Sequence, residues 1–305
     1  MDVLWIPISL TAGFMQAVRT AAQKSLNAHL STLVTTYVRS LFGLPLMVVF
    51  LWVVMASGSE PWPELHGTFL FHAFAAAMTQ VIGTVLLIRL FTLRNFAVGT
   101  TLTKTDVMMT AIVGSVLFSE SITALGWVAM LLTVAGVILI SVARMRTHAF
   151  GQTGGGVAAA LASRSTRIGL ATGFVFCLSY LFLREASLSL ASGGVLHRAA
   201  WTVVAVTAIQ VVTLGAWLLL RDPQGLIRML AAWRLCSFVG ITSAIGSICW
   251  FTAMTIQNAS YVKAVGQIET AFTLAISYLY FNERLNWPEL LGIAVIVAGV
   301  LLFLL

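Results

Sequence analysis

Lys263, Gln267 and Glu269 sit within YVKAVGQIETAFTLAISYLYF (261–281), a stretch otherwise apolar enough for lipid. NFAVGTTLTKTD (95–106) brings Lys104 and Asp106 into a second such stretch, and Arg19 and Arg39 lie within two more. A charge at the centre of a bilayer costs from about 2.5 kcal/mol upward, so such residues face a protein interior or a wet cavity and usually find partners. A carboxylate poised between burial, which disfavours its charge, and a nearby cation, which favours it, can exchange a proton near neutral pH. Asp106 and Glu269 are the candidates for that chemistry, each about ten residues into its helix and so near mid-membrane. A second reading is equally open here: both acids are held permanently in ion pairs with Lys104, Lys263, Arg19 or Arg39.

Helical geometry groups these residues. At about 100° per residue, Lys263, Gly266, Gln267, Glu269, Thr270, Thr273 and Ser277 fall on one arc, with Val262, Val265, Ile268, Phe272 and Ile276 opposite. Thr100, Thr103, Lys104, Asp106, Thr110 and Gly114 form the matching arc of the earlier stretch. Both segments are expected to be continuous cavity-lining helices. Four intramembrane cations against two anions leave a surplus of two, which a substrate carboxylate could balance. Arg19 and Arg39 lie close enough to a loop to snorkel, which would erase that surplus. Gln16, Gln80, Tyr180 and Trp250 complete the substrate-cavity candidates, alongside Lys104, Lys263, Gln267, Arg39, Arg19 and Thr100. Thr79 and Tyr261 are weaker members of the same polar set.

What positions these residues is a membrane-spanning chain. Hydrophobic residues make up 59% of the 305 and charged ones 9%, against roughly 25% charged in an ordinary soluble domain. The net charge of +7 reflects Lys and Arg in short loops, where they meet anionic headgroups, and implies no nucleic-acid partner. With about 20 apolar residues per crossing, spans are expected near 3–22, 32–55, 67–90, 97–118, 123–143, 168–185, 197–220, 234–255, 259–281 and 287–305. The segments 57–65, 184–194 and 221–230 are expected to be loops. The N-terminus, MDVLWIPISL, has neither a basic region nor a small-residue cleavage site and is taken as the first span.

Two halves of the chain look like copies. A shift of 163 residues sets NFAVGTTLTKTD (95–106) on NASYVKAVGQIE (258–269), LFSE (117–120) on YFNE (280–283) and VAGV (134–137) on VAGV (297–300). The expected organisation is a first repeat over 1–143, a Gly-rich basic linker over 144–166 and a second repeat over 167–305. Five spans per copy is odd, so the second copy enters from the opposite side. Loops after odd-numbered spans hold most Lys and Arg, from Lys24 to Arg284, whereas those after even-numbered spans hold Arg184 and Arg198. The positive-inside rule then puts the linker in the cytoplasm and both termini outside. Inverted repeats with a midplane site are a transporter architecture.

The chain resembles the ten-span drug/metabolite transporter superfamily, EamA-like branch. The likeness rests on the end of each repeat: a polar-flecked helix, then LFSESIT (117–123) or YFNERLN (280–286), then an apolar helix closing on VAGV. Arg39 in TTYVRSLFGLP also fits. The resemblance implies an all-α integral membrane fold of ten helices, two inverted five-helix repeats around a central cavity lined by spans one, three, four, six, eight and nine. The fifth and tenth helices would pack at the side. It further implies a secondary carrier for a small metabolite, with export the commoner direction. Together with the charge surplus, the expected substrate is an amino acid or similar carboxylate-bearing or zwitterionic solute, moved across the cytoplasmic membrane by alternating access and coupled to protons. Besides that solute and membrane lipid no partner is expected, and the monomer is taken as the working unit.

Two other classes compete with the carrier. A passive channel or facilitator normally builds its filter from equivalent groups of several subunits, while this chain carries its own internal symmetry. A membrane-embedded enzyme would need a recognisable nucleophile–base or acid-dyad motif, and HExxH, GxSxG and GxGD are missing from the sequence. The five histidines lack metal spacing, Cys177, Cys236 and Cys249 follow no ligand pattern, and no cofactor is expected. Glu120 and Glu283 occupy tight turns and are read as structural, and Asn286-Trp-Pro-Glu289 reads as a helix start with a capping box.

Overall fold

The computed structural model describes residues 3–26, 30–58, 60–91, 103–148, 164–281 and 286–304. Among these residues the secondary structure is helical throughout, with no strand. The helices are α1 (Trp5–Leu26), α2 (Thr32–Ser57), α3 (Gly67–Phe91), α4 (Asp106–Leu117), α5 (Ala124–His148), α6 (Arg164–Leu188) and α7 (Val195–Arg221). There follow α8 (Pro223–Ala231), α9 (Trp233–Ile256), α10 (Ala259–Gly266), α11 (Glu269–Phe281), α12 (Trp287–Leu301) and a closing 3-10 turn over Leu302–Leu304. Seven of the described helices are long and apolar enough to cross a membrane, and Asp106–Leu117 is a shorter apolar one. Large apolar side chains such as Trp52, Phe71, Val212 and Leu220 point outward, the arrangement lipid favours and water penalises.

Several expected boundaries move. The loop expected at 221–230 contains α8, because Asp222 and Pro223 form a helix start: Gly225 N–H donates to Asp222 Oδ1 at 2.9 Å, a capping arrangement. The linker expected at 144–166 is encroached on at both ends, with α5 running to His148 and α6 starting at Arg164. Likewise α6 extends to Leu188, into the loop expected at 184–194. Arg184 holds that end by donating to Gln257 O and Asn258 Oδ1, each at 3.1 Å, past the last turn of α9.

The chain folds into two compact units, residues 1–81 with 179–258 and residues 82–178 with 259–305. Each therefore draws on both sequence halves. In the first unit α9 packs on α1, α2 and α7, and α2 packs on α7. Leu26, Val34, Val38, Leu218, Cys236 and Val239 are part of one buried cluster there.

In the second unit the main helix pair is α5 on α12, and its seam explains the repeated VAGV. A Cβ built on Gly136 would lie 2.7 Å from the Gly292 carbonyl oxygen, and one on Gly299 would lie 2.9 Å from that of Ala129. Small residues let the backbones approach, as in membrane helix pairs generally. Gly136→Leu cannot be absorbed by a flexible neighbour, since the obstacle is backbone. We expect it to destabilise the protein by about 1–3 kcal/mol, read as a lower melting temperature in detergent. Gly67→Leu is the control, because a Cβ at Gly67 would meet nothing within 4 Å. The start of α12 is as the sequence implies: Asn286 N–H donates to Glu289 Oε2 at 2.8 Å, with Pro288 in the first turn.

Candidate functional site

The expected ninth span is interrupted. It folds as α10 and α11 separated by Gln267–Ile268, where Gln267 N–H bonds back to Ala264 O at 3.1 Å and Ile268 N–H to Val265 O at 3.2 Å. Both bonds span three residues, so the α pattern tightens before it restarts at Glu269. The same interruption recurs in the first repeat. Lys104–Thr105 form a turn and α4 begins at Asp106, the positions that the 163-residue shift places on Gln267, Ile268 and Glu269. Each acid thus opens a helical segment, where the helix dipole favours negative charge. The arc expected for a continuous helix is corrected accordingly. Val262 and Val265 are buried as completely as the polar side, so α10 has no lipid-facing stripe.

Tertiary contacts anchor the helix that leads into the break. Glu120, at the turn where Ser119 adopts φ 54°, accepts from Ala259 N–H at 2.9 Å and from Ser260 Oγ at 3.2 Å, so it caps α10. Tyr261 packs where Gly126 leaves room for its ring and accepts from Thr123 N–H at 2.9 Å. These anchors fix Lys263 one turn further on. Glu120 has the structural role expected of it, while Glu283 lies outside the described residues.

Within this second unit the four charged candidates pair crosswise. Lys263 Nζ lies 3.9 Å from Asp106 Oδ2, with both side chains nine-tenths buried. Lys104 Nζ lies 3.8 Å from Glu269 Oε2, with Lys104 30% exposed. Both separations exceed hydrogen-bond length. Among the described residues, Asp106 Oδ1 and Gln267 Oε1 are buried acceptors with no hydrogen-bond partner. Two charges about 4 Å apart attract by about 4 kcal/mol at an effective dielectric of about 20, which does little more than offset the cost of desolvating them. The Lys104–Glu269 pair is the more open to water of the two.

Arg19, Arg39, Gln16, Gln80, Tyr180 and Trp250 gather in the first unit. Arg39 Nη2 donates to Gln80 Oε1 at 3.0 Å, and Gln210 Nε2 donates to the same oxygen at 2.6 Å. Ser40 Oγ donates to Gln210 Oε1 at 2.8 Å. Arg19 and Tyr180 are near enough to act electrostatically on Arg39. Trp250 Nε1 donates to Gln16 Oε1 at 3.0 Å. Thr79 bonds to its own helix at Ala75 O. Thr100 lies outside the described residues. Sequence reasoning missed Ser40 and Gln210, although a lone amide in the apolar run of α7 is the same kind of signal that marked Gln80. A small polar cavity of about 10 Å³, room for about one water molecule, is lined by Arg39, Ser40, Gln80, Thr207, Gln210 and Ser247, with Met47 and Phe251 as its apolar wall. It draws on α2 and α7, helices outside the lining expected from the resemblance.

Apolar helices with ionisable and amide side chains buried inside them define a multi-pass membrane protein with a polar interior. The chain belongs to the EamA-like transporter family, whose model matches residues 3–142 and again 167–305. A crystal structure of a protein shares the fold, with a TM-score of 0.68, 14% identity, and coverage of 99% of this chain and 96% of that one. An uncharacterized protein of Methanocaldococcus jannaschii is 36% identical over 58 residues, which is 19% of this chain and 42% of that protein. The matched segment thus spans less than half of that relative.

Proposed function

We propose that the protein is a secondary active carrier that exports a small carboxylate-bearing or zwitterionic metabolite, an amino acid or similar solute, across the cytoplasmic membrane. Transport is by alternating access, through ten spans arranged as two inverted five-helix repeats with both termini outside and the 144–166 loop in the cytoplasm. Membership of a transporter family supports the class. The observation that carries the mechanism is the duplicated break, with an acid at the head of each resumed helix and a lysine facing it beyond hydrogen-bond length. Such a pair can exchange its cation for a proton, because the attraction gained barely offsets the desolvation retained.

Glu269 is the better exchanger, since its partner Lys104 is the more exposed lysine. Asp106, deep beside Lys263, holds the break. The carrier class is tested in proteoliposomes preloaded with each of a panel of unlabelled amino acids. Trace labelled solute added outside should accumulate transiently by counterflow and saturate with concentration, whereas flux rising linearly without counterflow identifies a channel.

A further inference from the structure

The structure divides the intramembrane charges in a way that composition alone does not. Both lysines and both acids face one another within the second unit, whereas Arg39 lies in the first. Among the described residues no carboxylate lies within ion-pair distance of Arg39. Its hydrogen bond goes to a neutral amide oxygen, which uses one of the five N–H groups of the guanidinium. That oxygen is also bonded by Gln210, and Gln210 is fixed by Ser40. The amides are thereby oriented, and being neutral they supply no compensating charge. A half-buried guanidinium beside a second arginine, hydrogen-bonded to a neutral amide, is an incomplete arrangement, because a desolvated cation is strongly disfavoured without a counter-ion.

The adjoining cavity is where a counter-ion would sit. Its lining combines the guanidinium with the hydroxyl-bearing Thr207 and Ser247, and Met47 and Phe251 close it with apolar surface. Its volume suits one oxygen of a larger molecule and leaves no space for a whole solute. We propose that Arg39, set by Gln80 and Gln210, is the subsite for the carboxylate of the transported solute, taking one oxygen into this cavity. A planar carboxylate matches the guanidinium fork, which a spherical halide cannot do. The identification of the anion as part of the solute rests on the carrier reading above; the anion preference of the site does not.

The test measures binding at equilibrium, so a chain that binds but does not transport, and one that transports without this subsite, give separate results. Purified full-length protein in nanodiscs is melted at constant ionic strength, with methanesulfonate as the background anion, while acetate, acetamide or chloride is titrated in. Ligands that bind only the folded state raise the melting temperature by mass action. Acetate should raise it saturably, acetamide should leave it unchanged, and Arg39→Gln should weaken the acetate response about 10- to 100-fold. Gln80→Glu supplies a carboxylate from within: it should raise the melting temperature without acetate and remove the acetate response, and this arm decides if Arg39→Gln does not fold. Equal responses to acetate and acetamide would overturn the proposal, as would a full acetate response in either variant. A chloride response matching that of acetate would overturn the assignment to a carboxylate.

Discussion

Removing Lys263 while leaving Asp106 in place should destabilise the protein by about 3 kcal/mol, the cost of stranding one charge of a buried pair. The comparison is Lys263→Met, Asp106→Asn and the double variant, each melted in detergent. Either single change removes the ion facing the opposite charge at a site where both side chains are nine-tenths buried. The double change removes both desolvated ions and keeps comparable volume, so it should recover most of the loss. A coupling of at least about 2 kcal/mol is expected, because residues in contact are where additivity fails. If the single losses simply add, the two side chains do not act as a pair and Asp106 does not hold the helix break.

The second large effect is on transport. Glu269→Gln should abolish accumulation driven by an imposed pH gradient while leaving solute exchange at equal pH largely intact. Glutamine keeps the size and hydrogen-bonding capacity of the side chain and removes only its charge and its proton. Lys104 then loses its counter-ion, but at 30% exposure it can remain hydrated, so the loss of stability should be well below that of Lys263→Met. An unchanged response to the pH gradient in Glu269→Gln would place proton exchange elsewhere or exclude it.

How much of this was legible in the sequence depends on whether the signal was local. The seven long apolar helices were, since each is a run of apolar residues long enough for the bilayer. So was the start of α12, where Asn286, Pro288 and Glu289 carry their capping chemistry within four residues. The repeated VAGV was visible as a pattern, and its physical reason, two backbones meeting at Gly136 and Gly299, emerges only in the folded chain. The helix breaks were not legible. Neither Lys104–Thr105 nor Gln267–Ile268 contains a proline, and a period of 3.6 residues reads straight through both. What anchors the helix leading into the second break is distant in sequence: Glu120 on Ala259 and Thr123 on Tyr261. The crosswise pairing of Asp106 with Lys263 was foreseeable only as one of several possible partnerships. Gln210 was overlooked because a single amide in α7 has no neighbour in sequence to flag it; Ser40 and Gln80 meet it only after folding.

The linkage of solute movement to proton movement is the core of the account, and it can be observed in a single recording. Proteoliposomes carrying an internal pH dye, with no imposed pH gradient, receive an outward gradient of a solute that gave counterflow. The wild-type chain should shift internal pH in proportion to solute efflux, with a constant ratio across concentrations, and Glu269→Gln should pass solute with no pH change. Saturable efflux from the wild-type chain with no movement of protons would contradict it.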